Sequence, residues 1–311
     1  METVTLALNA MNTRFELVLH GENPVLLRAA GEEALREVER IEGLLSAFRS
    51  TSEISEVNAR ASAQAVQVSP EVFEVLLHAR ALWELTEGAF DITVGPLMRC
   101  WGFWGKTGHM PDPAAVEAAL DGVGMGHLEL DSQRRTVRFR REKMTLDLGA
   151  IGKGYAIGQA VDMLEEGGVR SGLLHGGTST TYGIGRPVDQ SGWLTEIACP
   201  PGVETTLPLV EIRDEALSAS ASSEKSFTVD GVSDGHVIDP RSGWPVEMAV
   251  LSVVTLKNAA EADALSTALL VSGVTGLKRL QEARSGVRGL VVDLRGNMTA
   301  VGMKPSPNES K

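Results

Sequence analysis

Leu146-Asp-Leu-Gly-Ala-Ile-Gly-Lys-Gly-Tyr155 is the stretch on which the reading of this chain turns. It follows the alternating run Thr136-Val-Arg-Phe-Arg140, which reads as a strand, and precedes a helical pattern over 150–166. A carboxylate (Asp147), a glycine-rich turn and Lys153 therefore meet at a strand-to-helix junction. Backbone N–H groups at such a junction point outward and suit a phosphate. The same glycines can serve only to let a helix lie close to a sheet. The junction alone does not choose between these readings.

Working outward, strands and helices are mixed without strict βαβ alternation. Runs 3–9 and 14–20 read as a hairpin around Asn9-Ala-Met-Asn12. An amphipathic helix runs from Pro24 to Phe48, and a polar connection with one short turn covers 49–58. Val66-Gln-Val68 reads as a small strand. Ser69-Pro70-Glu71 starts a helix that runs to Glu87, since it offers a capping residue, a first-turn proline and an acid near the positive helix end. Gly88 to Leu97 breaks that helix. Trp101-Gly-Phe-Trp-Gly105 follows as a tight, partly buried loop, either a core plug or a ligand contact. A helix over 111–120, capped by Asp112, leads to a hairpin of 128–130 with 136–139.

Beyond the opening stretch, 173–185 reads as a strand ending in a glycine turn. Further strands are expected at 194–198, 207–212 and 249–256, with a small Ser-rich strand and loop at 216–223. One long apolar helix runs from 259 to about 274 and a second over 276–283. A strand pair (289–294, 299–302) and a disordered polar tail (304–311) close the chain. The pattern predicts one α+β domain over 1–303, of mixed, mostly antiparallel sheets with flanking helices and room for two lobes.

The formal net charge of −12 over 311 residues argues against a general nucleic-acid binder, whose affinity comes from Lys and Arg on phosphates. An anionic ligand would then need local help from a metal or from positive backbone ends. Cys100 and Cys199 lack metal-ligand spacing and read as free thiols. No apolar run is long enough to span a membrane. The first residues lack a basic region, a long apolar core and a lipobox cysteine, so the expected location is cytoplasmic.

Two further segments can carry chemistry. Asp263 and Thr267, at i and i+4 in the long apolar helix, share one face. Their hard oxygens could hold Mg²⁺ if a backbone carbonyl joined them. Equally, Asp263 could cap the helix while Thr267 bonds back to a carbonyl. Gly235-His-Val-Ile-Asp-Pro240 places His236 and Asp239 on a rigid turn, where His236 can be a base, a substrate contact or plain polar surface. His175, beside two glycines, is similarly open.

Together the motifs resemble the ApbE family of FAD:protein FMN transferases. The matching pieces run in family order. They are Met11-Asn-Thr13; Phe48-Arg-Ser-Thr-Ser-Glu-Ile-Ser-Glu-Val-Asn58; Gly88-Ala-Phe-Asp-Ile-Thr-Val-Gly-Pro-Leu97 with Trp101-Gly-Phe103; the opening stretch; Leu174-His-Gly-Gly177; His236-Val-Ile-Asp-Pro-Arg-Ser-Gly-Trp-Pro245; and Ala262-Asp-Ala-Leu-Ser-Thr-Ala-Leu269. The resemblance implies cleavage of the FAD pyrophosphate with Mg²⁺. FMN passes through its phosphate to a Ser or Thr hydroxyl of an acceptor protein, and AMP leaves. It implies that Asp263, Thr267 and the Ala150 carbonyl are metal ligands. It implies FAD contacts at Met11, Phe48, Ala89, Phe90, Asp91, Asp147, Lys153 and the backbone near Val237.

A hydroxyl nucleophile needs a base, and His236 is the candidate, with Asp239 or a metal-bound hydroxide as rivals. The sequence departs from the family at Gly158 and Thr178, where Asp is frequent, and over 220–227. An FAD pyrophosphatase and a non-catalytic FAD-binding protein are the competing readings.

Overall fold

The computed structural model describes residues 1–105, 108–201, 203–222, 226–229, 232–235 and 237–303, with 226–229 and 232–235 as backbone. His236 and the expected tail over 304–311 lie outside the described residues. The chain divides into two compact units. The first comprises Met1–Glu42, Ile151–Ala221 and Ala249–Lys311, and the second Gly43–Ala150 and Ser222–Met248.

The first unit is built on an eight-stranded sheet, and every strand pairing in it is antiparallel. Its members in chain order are β1 (Glu2–Ala10), β2 (Thr13–Gly21), β6 (Ser171–Gly176), β7 (Thr180–Gly185), β10 (Glu215–Ala221), β13 (Leu251–Leu256), β14 (Arg288–Val292) and β15 (Met298–Val301), and they lie side by side in that same order. The small pair β8 (Trp193–Thr195) and β9 (Val210–Ile212) also belongs here. Helix α1 (Pro24–Leu45) starts in this unit. Helices α6 (Gly152–Glu166) and α7 (Ala259–Ala283) pack on each other, and α7 lies against β10 and β13. All strands but the small pair join neighbours in one sheet, so burying the helices' apolar faces against it supplies the main driving force.

The second unit holds α2 (Glu53–Arg60), α3 (Pro70–Leu85), α4 (Gly95–Cys100) and α5 (Pro113–Leu120). Its sheet runs β3 (Val66–Gln67), β5 (Thr136–Phe139), β4 (Leu128–Asp131), and β11 (Ser226–Val229) pairs with β12 (Val232–Gly235) in a separate hairpin. A core of Leu97, Trp101, Val116, Val123 and Ile238 ties α4 and α5 to the 237–245 loop. Trp101 is wholly buried and donates Nε1–H to Gly243 O at 2.9 Å. The core-plug reading of the aromatic loop therefore holds for Trp101.

Several expectations need correcting. The polar connection at 49–58 contains a two-turn helix, α2, whose first turn is capped by Ser52 Oγ accepting from Ser55 N. Only Ile54 and Val57 of α2 are buried, which is too little apolar signal to show a period. The break after Gly88 yields α4, opened by Pro96. The glycine turn after β6 is followed by another strand, β7, which is buried along all but its last residue and so shows no alternation. The two late helices are found as expected: the span labelled α7 is two helical segments that meet at a kink at Gly273 (φ 60°, ψ −148°), a conformation open to glycine.

Candidate active site

In the first unit, chemistry gathers where the first turn of α6 meets α7. No side chain caps α6, so its leading amides need partners from elsewhere. The Gly154 amide donates to Asp263 Oδ2 at 2.9 Å, and Lys153 Nζ lies 3.8 Å from Asp263 Oδ1. The approach depends on small residues. A Cβ on Gly154 would fall 2.2 Å from the Ala259 carbonyl oxygen and 2.7 Å from Asp263 Cβ. Asn258 caps α7 by accepting from Glu261 N, so Asp263 is not spent as a cap. Asp263 is only 3% exposed. Burial pushes its carboxyl up from the ordinary range, opposed by Lys153, the Gly154 amide and the hydroxyls of Thr180 and Ser218.

Hydroxyls surround this carboxylate. Thr180 Oγ1 on β7 lies 3.3 Å from Asp263 Oδ1 and 3.1 Å from Ser218 Oγ on β10. Ser218 and Ser220 alternate on one face of β10. They reach Ser266 Oγ on α7 at 3.2 and 2.8 Å. Thr267 Oγ1 is 3.4 Å from Asp263 O and 3.4 Å from Ser220 Oγ. This donor set is entirely oxygen, which suits Mg²⁺ better than softer metals. Among the described residues no group of three or more His, Cys, Asp and Glu could hold a metal. A magnesium site with few protein ligands does not require one.

In the second unit, Asp147 Oδ2 accepts from Trp104 Nε1 at 2.7 Å, and Oδ1 accepts from Gly149 N at 2.8 Å. The Phe48 ring meets Trp104 edge-on at 5.2 Å and is 66% exposed. The Arg99 guanidinium sits 4.8 Å from the Trp104 ring centre, and Arg99 also donates to Thr145 Oγ1 at 2.8 Å. A carboxylate and two rings, one well exposed, thus stand in one cluster that can receive a flat heterocycle. Ala89, Phe90 and Asp91 are buried. Asp91 Oδ1 accepts from Thr93 N and Oγ1 at 2.7 and 2.5 Å, and Oδ2 from Met125 N at 3.2 Å, so its carboxylate ties its own loop to the turn at Met125. Asp239 is held by Arg241 through Nε at 2.9 Å and Nη2 at 2.8 Å, which occupies it as a loop staple.

The model of the ApbE family matches residues 11–291. The chain belongs to the ApbE family. A relative from Vibrio cholerae named FAD:protein FMN transferase is 31% identical over 76% of this chain and 72% of its own length. One of the same name from Salmonella typhimurium is 31% identical over 80% of this chain and 71% of its own. Among solved structures, the ApbE protein of Thermotoga maritima superposes with a TM-score of 0.88 at 27% identity, covering 97% of each chain. The apo flavinyl transferase ApbE of Pseudomonas stutzeri gives 0.82 at 26%, over 97% of this chain and 95% of its own.

The ApbE motifs distribute as follows. Asp263, Thr267 and Lys153 come together in the first unit. Phe48 and Asp147 come together in the second through Trp104. Ala150 is the last residue of the second unit's long segment. Val237 is buried, and its carbonyl accepts from Val246 N at 3.1 Å. Met11, at the β1–β2 tip, adopts φ 51° beside Asn12 at 58°, the pair of positive angles that a tight hairpin turn requires. Its amide donates to Glu42 Oε1 at 2.8 Å. His175 Nδ1 is 2.9 Å from Thr181 Oγ1, and burial lowers its pKa. Sequence reading held Trp104 only as part of the 101–105 loop, with core-plug and ligand readings open, and missed Arg99 and the serine network. The alternation of Ser218 and Ser220 was the available signal for the last, whereas nothing in the sequence pairs Trp104 with Asp147.

Proposed function

We propose that this chain is a transferase that moves the FMN half of FAD onto a Ser or Thr hydroxyl of an acceptor protein, with Mg²⁺, releasing AMP. Flavin transfer follows from membership of the ApbE family and from its relatives' names. The observation that carries the finer reading is the buried Asp263 carboxylate, fixed by the Gly154 amide with Lys153 at 3.8 Å. Burial of a carboxylate is costly and is best offset by a cation.

Asp263 and Thr267 would supply two oxygen ligands to Mg²⁺. Bound there, Mg²⁺ would offset negative charge on the pyrophosphate oxygens. Lys153 adds a further positive charge for the phosphates, and the α6 amides add donors. Phe48 and Trp104 offer rings for a flat part of FAD, and Asp147 offers an acceptor. In the reaction, the acceptor's hydroxyl oxygen bonds to the FMN phosphorus. The bond from that phosphorus to the bridging oxygen breaks, and AMP leaves with that oxygen. The hydroxyl proton needs a base, a role we assign to His236.

The test is to incubate the protein with FAD, Mg²⁺ and a candidate acceptor, then weigh the acceptor and assay AMP. One added FMN with one AMP supports transfer. AMP without adduct would make water the acceptor. FAD retained with neither product would leave binding alone.

A further inference from the structure

We propose that Ser220 and Ser266 orient the Thr267 hydroxyl so that a lone pair, and not its proton, faces a divalent cation. The inference rests on the metal role assigned above to Thr267. A hydroxyl has one proton and two lone pairs. To ligate a cation it must send its proton elsewhere.

The proton count around Thr267 fixes that direction. Ser266 Oγ lies 2.9 Å from the Asp263 carbonyl oxygen, which can only accept, so the Ser266 proton is spent there. Ser220 Oγ is 2.8 Å from Ser266 Oγ and must therefore be the donor of that pair. With its proton spent, Ser220 can only accept from Thr267 Oγ1, 3.4 Å away. The other partner of Thr267, the Asp263 carbonyl at 3.4 Å, is also an acceptor. Both routes turn the Thr267 proton into the protein and leave lone pairs facing away from it. Ser252 Oγ donates to Ser266 O at 2.6 Å and holds that turn of α7 in place. Ser220 and Ser266 are thus positioning residues.

A purely structural seam of hydroxyls would lose stability on truncation without changing metal affinity. Mn²⁺, as a stand-in for Mg²⁺, is titrated into the purified full chain, and free Mn²⁺ is followed by its paramagnetic resonance signal. Thermal unfolding without metal is recorded alongside. Ser220→Ala and Ser266→Ala are expected to weaken Mn²⁺ binding roughly tenfold or more, as loss of a ligand's supporting partner does. Ser220→Thr, which keeps a hydroxyl, is expected to retain affinity. In a Thr267→Val background, Ser220→Ala is expected to add no further loss. Wild-type affinity in folded Ser220→Ala, with Thr267→Val weakened, overturns this inference and spares the metal site. Full extra loss from Ser220→Ala on top of Thr267→Val also overturns it. Unchanged affinity in both Thr267→Val and Asp263→Asn overturns the metal reading and this one together.

Discussion

The Gly154 amide donates to Asp263 Oδ2 at 2.9 Å across 109 residues of sequence, joining the first turn of α6 to the second turn of α7. The contact exists because Gly154 has no Cβ. Gly154→Ala would press a methyl against the Ala259 carbonyl at 2.2 Å and Asp263 Cβ at 2.7 Å. Backbone cannot yield as a side chain can, so the helices must part. We expect a loss of about 1–3 kcal/mol in urea unfolding, together with weakened Mn²⁺ binding. Wild-type stability and affinity would contradict this.

Gly158, one turn along α6, is the opposite case. A Cβ there meets nothing within 4 Å. Gly158→Ala is expected to raise stability by roughly 0.5–1 kcal/mol through helix propensity alone. A lower urea midpoint would show that the glycine serves a contact absent from this structure.

Much of this was legible in the chain. The Asp263–Thr267 spacing placed both on one face of α7, and the glycines of 149–154 marked a junction whose packing reading holds at Gly154. Gly154 admits α7 and spends its amide on the Asp263 carboxylate. What stayed hidden was non-local. The sheet joins β7 to β10 and β10 to β13, so Thr180, Ser218, Ser220 and Ser266 meet only after folding. Helix α2 was hidden for a local reason: with two buried apolar residues, its form is set by the Ser52 cap and by tertiary contacts instead of by a stripe. Trp104 looked like Trp101, its neighbour in an aromatic loop. Only the fold sends Trp101 into the core and Trp104 to Asp147.

Trp104 bears on flavin binding. Trp104→Ala removes a ring and the donor to Asp147 Oδ2, while the Gly149 amide keeps Asp147 in place. Loss of a stacking aromatic costs about 1–3 kcal/mol, so FAD affinity should fall about fivefold or more. Quenching of flavin fluorescence on titration measures it. An unchanged Kd would remove Trp104 from the site.

Tyr182 sets a pH response. Burial, and then the carboxylates of Glu165, Asp214, Asp162 and Glu215, push its phenol from 10.0 up to about 12. Unfolded chains release this proton near pH 10, whereas the folded chain holds it. Between those values the folded state binds more protons, so stability must fall as pH rises from 10 towards 12. Urea unfolding below and above pH 10 checks this, with Tyr182→Phe expected to flatten the decline. An equal slope in both proteins would place the response elsewhere.

The central claim is that Asp263 holds the metal on which FAD cleavage depends. The most direct measurement is the rate of AMP release from FAD in the presence of acceptor, with and without Mg²⁺, for the wild-type chain and folded Asp263→Asn. The account predicts Mg²⁺-dependent release in the wild type and a loss of roughly a hundredfold or more in the variant. Release by Asp263→Asn at the wild-type rate, with the same Mg²⁺ dependence, would contradict it.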